Sequence, residues 1–290
     1  MKTTLQKGGN EKIMYKALAS GCIGHNVTLE ISAPIAKKYG FEGIFLDIQQ
    51  ECQRPIEETK RILAENNLKP AGIGLPVEFR AGEEVFHRDM EKLEEYAKYA
   101  AACGVDRCST WILPASDTLS YEDNFELHRS RLKEAAILLE RYGISLGLEY
   151  VGPPTMRIGK KYEFIHNLDQ MLELCKAIGT GNMGILVDLF HWDMAQQTLA
   201  DFKKFPNESW IVCVHVMDAP AGIPREEQLD SVRALPGSTG VLKSDAFFQG
   251  LKEIGYTGPV MVEPFVPELG EMPFEEAVKV VKESLDKIWA

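Results

Sequence analysis

The sequence predicts an α/β fold, a (β/α)8 TIM barrel formed by one domain. Short apolar or β-branched runs alternate eight times with longer segments of helical period, which is how parallel βα units read in a sequence. The 290 residues are close to the roughly 250 that such a barrel needs. Because no Pro/Gly/Ser-rich linker, charge block or low-complexity run divides the chain, we expect a single domain over residues 1–290, with residues 1–12 peripheral or disordered.

The predicted strands are short runs rich in Val, Ile, Leu and aromatic residues. Runs of this kind are typical of parallel strands that are buried on both faces. In chain order they are Tyr15–Ile23, Gly43–Asp47, Lys69–Leu75, Arg107–Leu113, Ser145–Tyr150, Met183–Asp188, Ile211–Val216 and Val260–Glu263. The intervals between them are long enough for a helical crossover, so we expect the strands to be parallel.

The predicted helices occupy the intervals between the strands and follow the last one, where apolar residues recur with helical period. Several end next to a glycine, which adopts the left-handed conformation of a C-cap at little steric cost. These glycines are Gly40, Gly143, Gly179 and Gly255. The predicted helices are Leu29–Tyr39, Ile56–Asn66, Arg88–Cys103, Asn124–Tyr142, Leu168–Ile178, Gln196–Lys204, Asp245–Ile254 and Phe274–Trp289.

An open, doubly wound sheet is the alternative fold. Such a sheet usually has a glycine-rich turn after its first strand that holds a dinucleotide. The segment Ser20–Gly24 contains two glycines but lacks the spacing of that fingerprint. The barrel is therefore favoured, and two long loops rich in Gly and Pro, Val151–Lys161 and Asp218–Gly240, would leave its C-terminal face and form a rim or lid.

Composition excludes several kinds of partner. The formal net charge of −11 repels phosphate backbones and no basic stripe offsets it, so we expect no nucleic-acid partner. The N-terminus lacks the apolar core of a signal peptide and no run is long enough to span a membrane, so we expect a cytoplasmic protein without a membrane partner. The six cysteines form no CxxC pair, and we interpret them as reduced.

Four predicted strands in the second half of the chain end in a residue that binds hard divalent metals. These residues are Glu149, Asp188, His215 and Glu263. Each could be a surface charge or a helix N-cap, but lone polar side chains inside four apolar runs would be costly to bury without partners. Since C-terminal strand ends of a barrel meet at one mouth, we predict that the four converge on a divalent metal. The mostly oxygen ligand set favours Mn²⁺, with Mg²⁺, Co²⁺ or Zn²⁺ as alternatives.

Four further residues are candidates for binding a substrate. His191 follows Asp188 by three residues, Arg233 lies in the loop after the seventh strand, Arg157 lies in the loop after Glu149, and Trp111 is near the end of the fourth strand. Each has a simpler interpretation. His191 could cap the following helix, the two arginines could be solvated, and Trp111 could belong to the barrel core.

Several segments of the C-terminal half are shared with a known family. They are Leu148–Thr155, Gly184–Trp192, His215–Pro224, Val232–Leu242 and Leu251–Phe265. On these segments the chain resembles the sugar phosphate isomerase/epimerase superfamily, the xylose-isomerase-like TIM barrels, and within it the inosose (2-keto-myo-inositol) isomerases. The N-terminal half matches only as a general barrel pattern.

The resemblance implies a divalent metal held by Glu149, Asp188, His215 and Glu263, with the two glutamates as proton-transfer groups. It also implies that His191 and Arg233 bind substrate, and that the enzyme is a homo-oligomer. Ketose 3-epimerases carry an Asn-Arg pair soon after the fifth-strand glutamate, where this chain has Tyr150–Pro153. That departure puts the ketose class of substrate in doubt.

A hydroxy-ketone bound through its carbonyl and neighbouring hydroxyl to such a metal has an acidified α-hydrogen. Glu149 and Glu263 are the candidates to remove that proton and return one. We therefore predict an isomerase or epimerase that acts on a keto-sugar or keto-inositol through an enediolate. The alternative is a lyase that eliminates water or an aglycone from a 3-keto sugar.

Two other classes of protein share the barrel. One is a DNA repair enzyme similar to endonuclease IV, which needs several clustered metals; the scarcity of histidine ligands and the acidic balance argue against it. The other is a non-catalytic sugar-binding barrel. Replacing Glu149 or Glu263 with alanine would leave the activity and the metal content of such a protein unchanged.

Overall fold

A computed structural model describes residues 14–289 and has eight parallel strands closed into a barrel. The strands are β1 Tyr15–Leu18, β2 Gly43–Leu46, β3 Lys69–Gly74, β4 Arg107–Ile112, β5 Ser145–Tyr150, β6 Met183–Asp188, β7 Ile211–Val216 and β8 Pro259–Val262. Each pairs with its neighbours in the chain, and β8 closes the barrel against β1. The predicted (β/α)8 fold is confirmed. Residues 1–12, expected to be peripheral or disordered, lie outside the described residues.

Helices surround this barrel in the described part of the chain. They are α1 Leu29–Lys38, α2 Ile48–Glu51, α3 Ile56–Asn66, α4 Glu83–Ala102, α5 Tyr121–Arg141, α6 Leu168–Ile178, α7 Leu189–Met194, α8 Ser244–Ile254, α9 Pro267–Glu271 and α10 Phe274–Ile288. Two very short strands, Ala115–Ser116 and Tyr162–Glu163, pair outside the barrel. Between residues 14 and 289, none of the helices has the length and apolar character needed to cross a bilayer.

The barrel interior is filled by side chains. Val212 on β7 points between β5 and β6, where Gly147 and Gly184 are paired in register. A Cβ atom on Gly147 would lie 2.8 Å from the Cβ of Val212, and one on Gly184 would lie 2.6 Å from its Cγ2. The two glycines therefore leave the space that the valine occupies, and the centre is packed as expected for this fold.

The first strand is shorter than predicted. It ends at Leu18, and a 3-10 turn at Gly21–Ile23 follows, with Gly24 at φ 82°. The apolar pattern continues through this turn because Ile23 is buried, so periodicity could not separate the turn from the strand. The turn places Cys22 over the barrel mouth, beside Glu263.

The helix after β6 begins earlier than predicted. A side-chain oxygen of Asp188 accepts the backbone N–H of His191 at 3.0 Å, which caps α7 directly at the end of the strand. Gln196 then adopts φ 57°, and the predicted helix Gln196–Lys204 is only a 3-10 segment, Leu199–Lys204. One aspartate thus ends the strand and caps the next helix.

Candidate metal centre and active site

The strand register brings the four predicted metal ligands together at the C-terminal mouth. Asp188 and His215 are register partners on β6 and β7. Glu149 lies near the end of β5, and Glu263 directly follows β8, where its N–H donates to Val216 at 3.3 Å. One potential ligand atom from each of the four lies within 4.8 Å of the others. The convergence expected of barrel strand ends is observed.

These side chains fit a divalent metal. Glu149 Oε1 and His215 Nδ1 are buried and have no hydrogen-bond partner among the described residues. Leaving such atoms unpaired costs about 1–3 kcal/mol each. His215 Nδ1 lies 3.4 Å from Glu263 Oε2 and 3.9 Å from Glu149 Oε1. Two N or O ligands of one tetrahedral ion are about 3.4 Å apart, so His215 and Glu263 have the spacing of a coordination shell, and Glu149 Oε1 lies somewhat farther from the imidazole.

The charge balance of the site also favours a cation. Arg233 contributes a guanidinium whose Nη1 lies 3.0 Å from Asp188 Oδ2 and 3.2 Å from Glu263 Oε2, and whose Nη2 donates to Asp230 Oδ1 at 2.8 Å. With Glu149, four carboxylates face this guanidinium and the imidazole of His215. Buried carboxylates without enough counter-charge are unfavourable, and a divalent cation would relieve that excess.

Burial and neighbouring charges shift the pKa values of the two glutamates of the cluster in opposite directions. Burial, with the carboxylates of Glu263 and Asp188, raises the pKa of Glu149 well above its usual range. Burial opposes ionisation of Glu263 too, but His215 and Arg233 outweigh it and hold its pKa below the ordinary value. Burial disfavours the charged form of His215, yet the Glu263 carboxylate prevails and raises the pKa of that imidazole.

His191 is buried beside the cluster and is held by main chain. Its Nδ1 accepts the N–H of Gly152 at 3.3 Å, while its Nε2 lies 3.3 Å from Arg233 Nη2 and 4.0 Å from Glu149 Oε1. The first contact fixes the ring so that Nε2 faces the mouth. Gly152 makes this possible, because a Cβ atom there would lie 2.3 Å from the carbonyl oxygen of His191.

Substituting Gly152 with alanine is expected to destabilise the protein by about 1–3 kcal/mol, since the clash is with backbone. The shift would also move His191 away from the mouth. Urea unfolding measures the first effect, and substrate KM measures the second. Gly82→Ala is the control, because a Cβ atom at Gly82 meets nothing within 4 Å. Equal stability of the two variants would contradict the packing argument.

The other two predicted substrate contacts, Trp111 and Arg157, have different surroundings. Trp111 is the register partner of Glu149 and is 44% exposed, so its indole flanks the mouth with a free face. The guanidinium of Arg80 stacks on that indole at 4.5 Å. Arg157 is directed into its own loop, where Nη1 donates to the carbonyls of Gly152 and Pro153 at 3.0 and 3.3 Å. Its guanidinium stabilises the loop that carries Gly152.

Two aspartates of the site were not predicted from the sequence. Asp230 binds Arg233 from three residues earlier in the same loop. Asp218 is buried and accepts four backbone N–H groups, from Ala219, Thr239, Gly240 and Leu242. The bridge between Asp218 and Ala234 lies next to Arg233. Asp218 therefore folds the loop that presents the arginine, and its position three residues after His215 was the available signal.

A cavity of about 630 Å³ opens at the C-terminal ends of β1, β2 and β3. Its polar wall includes His25, Asn26, Asp47, Gln50 and Glu51. Among the described residues that line it, none is Lys or Arg. The volume lies within the range of about 300–1,000 Å³ of small-molecule sites, and the wall offers carboxylates, amides and an imidazole but no cation.

The fold and the mouth define an α/β barrel with a carboxylate–imidazole cluster at its C-terminal face. A family model described as "Xylose isomerase-like TIM barrel" matches residues 34–288. This chain belongs to that family, as the shared segments of the C-terminal half led us to expect.

Among curated proteins, the chain is 26% identical over 230 residues to an inosose isomerase of Halalkalibacterium halodurans, which covers 79% of this chain and 78% of that protein. It is 25% identical over 264 residues to an L-ribulose-5-phosphate 3-epimerase of Escherichia coli, covering 84% of each. Both names are those of isomerising enzymes.

Among solved structures, a xylose isomerase domain protein from Alicyclobacillus acidocaldarius superposes with a TM-score of 0.83 at 27% identity, covering 95% of this chain and 98% of that one. A protein named IOLI, solved with a binding zinc atom, superposes with a TM-score of 0.79 at 21% identity over the same shares. The second likeness concerns the fold alone.

Proposed function

We propose that this protein is a divalent-metal-dependent isomerase or epimerase of an uncharged keto-polyol, such as a keto-sugar or a keto-inositol. Its membership of the family and its isomerase and epimerase relatives support a sugar isomerase/epimerase. The observation that carries the metal dependence is the cluster of four donors with two buried, unpaired ligand atoms.

Glu149, Asp188, His215 and Glu263 would hold the metal. Oxygen donors dominate, which favours Mn²⁺, with Mg²⁺, Co²⁺ or Zn²⁺ as alternatives. When bound, such an ion polarises the carbonyl and the neighbouring hydroxyl of a substrate. It thereby acidifies the hydrogen on the carbon that carries this hydroxyl. The zinc atom in the IOLI structure supports a divalent ion in this fold.

Glu149 and Glu263 would transfer the proton. They lie on β5 and directly after β8, so they approach the mouth from different sides, with an oxygen of each within 4.8 Å of the other. One carboxylate removes the α-proton and the other returns one. If the proton returns to the adjacent carbon, the carbonyl moves and the reaction is an isomerisation. If it returns to the opposite face of the same carbon, the stereocentre is inverted and the reaction is an epimerisation.

Arg233, His191 and Trp111 would position the substrate. The Nε2 atom of His191 would contact an oxygen of the reacting carbons, and Arg233, which donates to Glu263 and lies 3.3 Å from that nitrogen, would hold both side chains in place. The exposed face of Trp111 offers an apolar surface for the C–H face of a ring. The distal part of the substrate would occupy the cavity beside β1–β3, whose acidic and amide lining disfavours a phosphate group.

The test is deuterium exchange at the α-carbon of inososes and ketoses in D₂O with Mn²⁺, with product mass recorded. The panel includes a phosphorylated ketose such as L-ribulose 5-phosphate. We expect exchange with retained mass for an uncharged substrate and a lower kcat/KM for the phosphorylated one. Loss of water or an aglycone would move the assignment to a lyase, and no exchange on any substrate would refute the proposal.

Two further expectations remain part of this proposal. We infer that residues 1–290 act as one domain and that the enzyme is a homo-oligomer, as the resemblance implies. Light scattering of the purified protein would give its mass relative to the 32.5 kDa of one chain.

A further inference from the structure

Cys22 lies at the mouth, next to two of the proposed metal ligands. It is half-buried in the turn after β1, and its thiol donates to Glu263 Oε1 at 3.6 Å. Cys22, His215 and Glu263 form a second group whose potential ligand atoms all lie within 4.8 Å of one another. The thiol therefore shares two neighbours with the oxygen-rich centre.

The spacing is that of a coordination shell. A zinc ion binds sulfur at about 2.3 Å and oxygen at about 2.0–2.2 Å, so that a tetrahedral angle separates the two donors by about 3.5–3.7 Å. The observed separation between Cys22 Sγ and Glu263 Oε1 is 3.6 Å. A hydrogen bond from a thiol has a similar length, so the assignment of a ligand rests on this distance together with the imidazole beside it.

A second observation points to a ligand at the same place. His215 is 6% exposed, and its Nδ1 atom has no hydrogen-bond partner among the described residues. This nitrogen belongs to both groups of potential ligands. A buried imidazole nitrogen without a partner, next to a thiol and a carboxylate, is a donor set that suits zinc and softer ions.

We propose that Cys22 is an additional ligand of this centre for thiophilic divalent ions such as Zn²⁺, Co²⁺ and Cd²⁺, which it binds together with His215 and Glu263. On coordination the thiol releases its proton to solvent. Mn²⁺, which prefers oxygen, would remain with the carboxylates and His215. Cys22 thus determines which metals the site accepts. The inference rests on the proposed metal centre, and its test separates the two.

The experiment loads the full chain with Co²⁺ and records its absorption spectrum, with metal content measured by equilibrium dialysis. A cobalt–thiolate bond gives an intense charge-transfer band in the near ultraviolet, which oxygen and nitrogen ligands do not give. Cys22→Ser and Cys22→Ala remove the thiol. Cys52→Ser is the matched control, because Cys52 is also a half-buried, unpaired cysteine and belongs to neither group of ligands.

The expected result is a charge-transfer band in the wild type and in Cys52→Ser that is absent from both Cys22 variants. In competition dialysis, the preference for Cd²⁺ over Mn²⁺ should fall at least about tenfold in the Cys22 variants. Stoichiometric Co²⁺ binding without the band, or an unchanged preference, would overturn the role of Cys22 and leave the metal centre standing. Failure of every variant and the wild type to bind Co²⁺ would overturn both.

Discussion

Replacing Glu149 with glutamine is expected to lower the rate of α-proton exchange by about 10²–10⁴-fold, the usual contribution of a general acid or base. Glutamine keeps the size of the side chain but cannot accept the proton. Its amide oxygen can still bind a metal, so we expect metal content to change far less than the rate. The same loss is expected for Glu263→Gln.

The measurement is kcat for deuterium exchange, with bound metal and the melting temperature determined for each variant. Glu173→Gln is the control, because Glu173 is an exposed residue of α6. Glu263 also accepts from Arg233 at 3.2 Å, so its variant could be less stable, whereas Glu149 Oε1 has no partner to lose. A Glu149 variant that keeps its metal and exchanges within about twofold of the wild type would remove this residue from the mechanism.

The convergence of the four candidate ligands could be predicted from the sequence, because it depends on local pattern and on one general rule. Each is a polar residue at the end of an apolar run, and parallel strand ends meet at one mouth. Asp188 and His215 are register partners, which is what successive strands of a barrel require. No other knowledge of the fold was needed to bring them together.

The surroundings of the ligands could not be predicted in the same way. Cys22 contacts Glu263 across 241 residues of sequence, and this contact depends on the closure of β1 against β8. The position of Arg233 depends on Asp218, which gathers four N–H groups of an irregular loop. Neither contact has a periodic signal, because both arise from tertiary packing of non-repetitive backbone.

The end of β6 shows the same limit on a smaller scale. Asp188 is the N-cap of α7, and its role as a metal ligand is a proposal. Its Oδ1 accepts from His191 and its Oδ2 from Arg233. From the sequence, capping and metal ligation are alternatives for this residue. In the structure the two oxygens of one carboxylate have different partners, so one role does not exclude another.

Removing the divalent metal is expected to abolish exchange and to lower the free energy of unfolding. The four carboxylates of Glu149, Asp188, Asp230 and Glu263 then face only the guanidinium of Arg233 and the imidazole of His215 among the described residues. A ligand that binds only the native state stabilises it by about 2.7 kcal/mol at 100 times its Kd, and chelation removes that amount. The difference in melting temperature with Mn²⁺ and with chelator measures it.

The decisive variant is His215→Gln, which should unfold at nearly the same temperature with Mn²⁺ as with chelator. The unpaired Nδ1 of His215 is the nitrogen donor of the cluster, and its loss should weaken metal binding. His166→Gln is the control, since His166 Nδ1 bonds to the carbonyl oxygen of Phe164 in its own loop and His166 belongs to neither group of potential ligands among the described residues, so this variant should keep the wild-type response. If the wild type itself unfolds identically with Mn²⁺ and with chelator, the four side chains do not form a metal site. The buried carboxylates must then be satisfied by Arg233, by the imidazole of His215 and by protonation of Glu149, whose pKa burial already raises.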